Sequence, residues 1–178
     1  MLFDFAVKGD KANLSKIGGT QKDFDEGKKE EKDSFTSQVK STLSSSGFSI
    51  SDEQVNGMYD ALMNSLKKVS ETTSVVSEDS KTAEVKIKTT YIDLKGLVSK
   101  AQQDALAQAK SSNITDETQL KAKFIDVYVK DLVSELNNAK PETNTKEQNF
   151  KFVIKDGQWL PENFSDFYKQ VGGLTYQS

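Results

Sequence analysis

Residues 146–164, KEQNFKFVIKDGQWLPENF, contain a β-hairpin whose turn can be named from the residues alone. Phe150, Phe152 and Ile154 alternate with Lys151, Val153 and Lys155, which gives one strongly apolar face and one mixed face. Asp156-Gly157 supplies the positive φ angles of a type I′ turn, whose twist matches that of the strands it joins. The register that follows sets Ile154 opposite Trp159 and places the only tryptophan on the apolar face.

Period two recurs between residues 70 and 92. SETTSVV reads as a strand, SEDS as a turn and TAEVKIKTTYI as a second strand, with Ala83, Val85, Ile87, Thr89 and Tyr91 on one face. The strands expected are therefore 72–77, 82–92, 148–155 and 158–161. Elsewhere the spacing is helical. A short N-terminal helix ends near Gly9, and a loop or second short turn runs to a break at Gly18-Gly19. An exposed helix over 21–46 carries Phe24, Phe35, Val39 and Leu43, and its charges allow pairs such as Asp25 with Lys29. Ser51 and Gln54 form a capping box for a helix reaching about residue 68, with Ile50 and Val55 as its hydrophobic staple. Asp93 is expected to cap an alanine-rich helix (Leu94, Leu97, Val98, Ala101, Ala105, Ala109), and Thr115 the helix after it, which Pro141 ends. A last short helix, ENFSDFYKQVGG, is expected to stop just before its glycines. Helices before and between a few antiparallel strands read as an α+β fold. We expect one domain over 1–178, with about four strands packed against four or five helices.

Composition removes several chemistries. The chain has no Cys, no His and no Arg, so all 24 cationic side chains are lysines. The usual zinc ligand sets and the Ser-His and Cys-His nucleophile pairs are excluded. The bidentate fork that recognises phosphate is missing too. A net charge of -3 argues against a nucleic-acid or anionic-membrane surface, and no apolar run approaches the ~18 residues of a membrane span. The start, MLFDFAVKGD, has no charged region ahead of an apolar one and no small-residue cleavage site, so it does not read as a signal peptide. Its apolar turn begins without a cap, which suggests that further residues precede it.

FAVKGDKANLSK, KTTYIDLKGLVSKAQQDALAQA and FKFVIKDGQWLP together resemble extracytoplasmic lipoprotein domains of unknown function from Gram-positive bacteria. The resemblance covers most of the chain in element order. It implies a cystatin-like or nuclear-transport-factor-two-like roll, in which a curved antiparallel sheet wraps around helices. It also implies a soluble part downstream of a removed signal and lipidated Cys, extracytoplasmic and anchored at the cell surface. No catalytic motif comes with it.

The candidate sites are few. KDFDEGKKEEKDS fails as an EF-hand loop, since Gly27 falls where a ligand belongs, Lys28 where the glycine belongs and Ser34 where a bidentate Glu belongs. A solvated helix face fits it better. Ser37-x-x-Lys40 and Ser65-x-x-Lys68 have nucleophile spacing, but about three such pairs are expected by chance, and neither has glycine-rich flanks for an oxyanion hole. No carboxylate pair among the 27 acidic residues stands out. Lys86 and Lys88 beside Tyr91 fit a solvated strand face better than a single-stranded nucleic-acid platform. The aromatics are the better candidates. Tyr91, Phe152 and Trp159 are expected on the sheet's inner face and Tyr59 and Tyr128 on covering helices, where they either fill the core or line a pocket.

The expectation is a non-enzymatic cell-envelope protein that binds a protein partner or small ligand through its sheet face or pocket. No cofactor, metal or nucleic acid is expected, and membrane contact only through a lipid anchor. The alternatives are an enzyme of the same roll using a pocket Asp, Tyr or Lys for acid-base chemistry, and a structural spacer at the cell surface.

Overall fold

The computed structural model describes residues 2–11 and 20–177, so the expected break at Gly18-Gly19 lies outside the described residues. Among the described residues are an N-terminal π-helical turn, Asp4–Lys8, five α-helices and six strands. The helices are α1 Gln21–Ser45, α2 Asp52–Leu66, α3 Leu94–Ser111, α4 Glu117–Asn138 and α5 Phe164–Leu174. The strands are β1 Glu71–Glu78, β2 Thr82–Thr89, β3 Ile92–Asp93, β4 Lys146–Lys155, β5 Gln158–Pro161 and β6 Tyr176–Gln177. The fold is α+β, as expected. Its segments form two compact units, one drawn from Met1–Asp25, Leu66–Asp93 and Lys140–Ser178, the other from Glu26–Ser65 and Leu94–Ala139.

The first unit is built on an open antiparallel sheet in the order β1-β2-β4-β5. The β4–β5 hairpin forms in the expected register, with Ile154 opposite Trp159 and with Asp156 and Gly157 at φ 53° and 76°. The β1–β2 turn is held by Asp79, whose carboxylate accepts from the Lys81 and Thr82 N–H groups, each at 2.7 Å. These two backbone bonds, with one from the Thr82 hydroxyl, hold the Asp79 carboxyl below its ordinary range. The inner face carries Ala83, Ile87, Phe150 and Phe152, all buried, and the N-terminal turn (Phe3, Ala6, Val7) and α5 (Phe167, Val171, Leu174) bury their own apolar residues with it. The outer face is a charged ladder, where Lys86 meets Glu147 at 3.1 Å and Glu84 accepts from Asn149 at 3.0 Å.

Two expectations at the sheet's margin are corrected. The second strand does not run to residue 92: β2 ends at Thr89, and Ile92-Asp93 pairs in parallel with Tyr176-Gln177. The main chain leaves the ladder there because the Ile92 N–H donates to the Thr175 carbonyl at 2.9 Å, while the Tyr91 carbonyl accepts from the Glu142 N–H at 2.8 Å. The last helix does not stop before its glycines either, since Gly172 and Gly173 lie inside α5. Burial of Leu174 and Thr175 carries the helix through them, with the Thr89 hydroxyl donating to the Leu174 carbonyl at 3.0 Å and the Thr175 hydroxyl to that of Gly172 at 2.6 Å.

The second unit is helical. Met58, Ala61, Ala101, Ile125, Val129, Leu132 and Leu136 form its core, with Phe35, Val39 and Leu43 of α1 packed against it. The alanine stripe of α3 (Ala101, Ala105, Ala109) is buried, which lets α3 lie close to α4. Gly47 closes α1 at φ 75°, with Gly47 and Phe48 N–H groups donating back to Ser44 and Leu43. The expected pair of Asp25 with Lys29 does not form: Lys29 pairs with Asp33 at 2.8 Å, and Asp25 accepts from Gln21 at 2.7 Å. The cap of α4 is Asp116 rather than Thr115, its carboxylate accepting from the Gln119 N–H at 2.8 Å.

The capping box of α2 forms reciprocally, with the Ser51 N–H donating to Gln54 Oε1 at 2.9 Å and the Gln54 N–H to Ser51 Oγ at 3.2 Å. Ser51→Ala removes one of these acceptors. We expect a loss of about 0.5–2 kcal/mol, read by chemical denaturation followed by circular dichroism. An unchanged midpoint would show that Asp52 and Glu53 in the first turn hold the helix start without the cap.

Candidate functional site

The inner face of the sheet is not fully covered. Between the N-terminal turn and α5 lies a groove of about 370 Å³. Ala83, Val85, Ile87 and Phe152 of β2 and β4 line it, together with Phe3, Phe167 and Trp159. Strand β1 contributes Glu71, Thr73, Val75 and Glu78. The ladder explains this grouping: Thr73 lies opposite Ile87, Val75 opposite Val85 and Ala83 opposite Phe152, so side chains of one parity gather on one face.

The groove has a distinct chemistry. Lys8 meets this lining, its Nζ lying 3.3 Å from Glu71 and 5.6 Å from the Phe3 ring centroid. The groove's own ionisable side chains are two glutamates, one towards each end of β1. Glu71 is part-buried and takes Lys8 at 3.3 Å, and Lys8 also bonds Asp4 at 2.8 Å. Burial pulls the Lys8 ammonium down, but the hydrogen bond to Asp4 and the charge of Glu71 outweigh it and hold Lys8 above its ordinary range. Glu78 is exposed. Trp159 is 36 % exposed, so part of its ring faces the groove without being packed away. Such an arrangement can hold an apolar group by burial and a cation at its ends.

Of the five aromatics singled out from the sequence, Phe152 and Trp159 come together in this groove. Tyr91 does not join them. It follows the end of β2, and Lys146 Nζ lies 5.0 Å from its ring centroid. Tyr59 and Tyr128 belong to the helical unit. Tyr59 is buried against Phe35 at 5.5 Å, and Tyr128 stacks on Phe124 at 6.2 Å, where burial pushes its hydroxyl above the ordinary tyrosine range. Sequence reasoning passed over Phe3, Phe167, Glu71 and Glu78. The even spacing of Glu71, Thr73 and Val75 was a usable signal for the β1 side; nothing local marks Phe3 or Phe167 as neighbours of the sheet.

The remaining motifs do not assemble a site. Ser65 Oγ is buried and donates to the Leu62 carbonyl at 2.7 Å, and Lys40 is paired with Asp52. The acidic run lies along α1, and among the described residues no group of three or more Asp or Glu is placed to hold a metal ion. No helix among the described residues is long and apolar enough to cross a membrane.

Comparison with known proteins decides the family. Residues 7–171 match the domain of unknown function DUF5105. The chain belongs to that family. No curated protein sequence matches this DUF5105 domain. Among solved structures, the domain is similar to the crystal structure of a candidate lipoprotein, ycdA, from Bacillus subtilis subsp. subtilis str. 168, with a TM-score of 0.67 at 19 % identity. That match covers 98 % of this chain and 53 % of the solved chain, so the chain spans about half of its neighbour's length.

Proposed function

We propose that this DUF5105 domain is a non-enzymatic binding domain of the cell envelope that holds an apolar ligand in the groove on its sheet face. The observation that carries the reading is a part-exposed Trp159 beside a largely apolar groove. Its volume of about 370 Å³ lies within the range of small-molecule sites, about 300–1,000 Å³. An acid-base enzyme wants an ionisable group seated deep in its cavity, whereas the groove's sheet centre is Ala83, Val85, Ile87 and Phe152. A spacer has no use for an open apolar groove. An extracytoplasmic, anchored location is part of the proposal and draws support from the candidate-lipoprotein neighbour. So is the cystatin-like or nuclear-transport-factor-two-like roll.

The test uses an uncharged apolar fluorophore, N-phenyl-naphthylamine, titrated into the whole chain. Saturable enhancement of the probe, with a parallel change in Trp159 emission, is the expected result. Val75→Lys alters a side chain that is already 60 % exposed, so the fold should persist. It brings a charge to the groove and is expected to weaken the probe by about tenfold, the equivalent of about 1.4 kcal/mol. No saturable signal, or equal binding by the variant, would sink the reading.

A further inference from the structure

Among the described residues, strand β1 has a neighbour on one side only. In the order β1-β2-β4-β5 it pairs with β2, and every residue after Glu71 is exposed. Val75 and Val76 are the most exposed of these apolar side chains, at 60 % and 49 %. The direction of its backbone groups follows from the ladder. The Thr90 N–H donates to the Ser70 carbonyl at 3.0 Å and the Ser70 N–H to Thr90 Oγ1 at 3.0 Å, so these two residues form a bonded pair just before β1. Antiparallel ladders alternate bonded and non-bonded pairs. Glu71, Thr73 and Val75 therefore turn their N–H and C=O groups away from β2, towards the open side.

An open row of main-chain donors and acceptors is a template for another strand, and proteins commonly blunt it with lysine, proline or short length. ETTSVVSE is eight residues long and has neither lysine nor proline. Its charges are Glu71 and Glu78, one at each end, and a bulge between Val75 and Ser77 bends its second half. Glu71 is already met by Lys8 at 3.3 Å, so the exposed Glu78 is the carboxylate that selects the occupant. A strand with lysine or arginine at the end beside Glu78 meets an opposite charge there.

We infer that β1 is an acceptor edge for strand addition by a partner protein, whose added segment is extended, rich in β-branched residues and cationic at the end that meets Glu78. This goes beyond the groove reading, because main-chain hydrogen bonds at the sheet margin supply the attachment and no groove ligand is required.

The experiment is amide hydrogen exchange by NMR on the whole chain, with a short peptide of alternating valine and threonine flanked by lysines. Slower exchange confined to Glu71, Thr73 and Val75 is expected, and a glutamate-flanked peptide should bind about tenfold more weakly. Thr73→Pro removes one outward N–H at an edge position where proline is tolerated. It should leave the circular dichroism unchanged and weaken the peptide by more than about tenfold. Glu78→Lys offers a second reading that does not depend on that variant, since it should shift preference towards the glutamate-flanked peptide. Absence of protection on β1, or equal binding by a folded Thr73→Pro protein, overturns the inference. Concentration-dependent protection of β1 without peptide also overturns it, by giving the edge to a second copy. A Trp159 emission change without β1 protection would seat the peptide in the groove, overturning the edge and leaving the groove reading intact.

Discussion

Replacing Phe167 by alanine is expected to cost about 3–5 kcal/mol, the range for truncating a buried aromatic in a packed interior. Phe167 is 3 % exposed and sits edge-on to two rings of β4, Phe150 at 5.1 Å and Phe152 at 5.8 Å, with Phe164 of its own helix at 6.5 Å. Truncation removes the apolar surface of the ring and the edge-to-face contacts together. It also removes one wall of the groove, so a probe held there should weaken as the sheet unit loses stability. Urea denaturation followed by Trp159 emission reads the sheet unit directly, because the only tryptophan lies on β5. At a urea dependence of about 1–3 kcal/mol/M, the midpoint should fall by about 1–5 M. A loss under about 1 kcal/mol would mean that this cluster does not hold α5 to the sheet.

Ile125→Ala is expected to be the comparable lesion in the helical unit, at about 2–5 kcal/mol. Ile125 projects from α4 at 2 % exposure into the cluster with Met58 of α2 and Ala101 of α3. Its neighbours cannot easily close the space, because Ala61 and Ala101 have no side-chain length to extend into it. Far-UV circular dichroism reports this unit, since its regular structure is helical. Glu30→Ala, on the exposed face of α1, is the control and should stay within about 0.5 kcal/mol. Equal effects of the two substitutions would contradict the core described above.

The particular residues show why some features were legible and others were not. Asp156-Gly157 needs only its own backbone to define a turn, and Ser51 with Gln54 needs only three residues of helix. The two long strand pairs announced themselves because a half-buried strand writes period two into its own residues. The β3–β6 pair is two residues long and joins segments more than eighty positions apart, too short for any periodicity. The end of α5 was misread for a related reason, since its glycines signal a stop locally while Leu174 and Thr175 are held by distant partners. Half of the groove was legible too. Phe152 and Trp159 are placed by the hairpin register, whereas Phe3 and Phe167 arrive from opposite ends of the chain.

By itself the sequence determined the α+β class, the four long strands with their faces, the main helices and the chemistries the chain lacks. Those depend on local backbone preference, on side-chain spacing and on residue types, all of which are properties of short segments. Only the tertiary structure decided that the segments gather into two units, that a largely apolar groove opens beside Trp159, and that β1 keeps an exposed edge among the described residues. Each of these depends on which distant segments cover a face and which leave it uncovered, and burial between segments far apart in sequence leaves no local pattern to read.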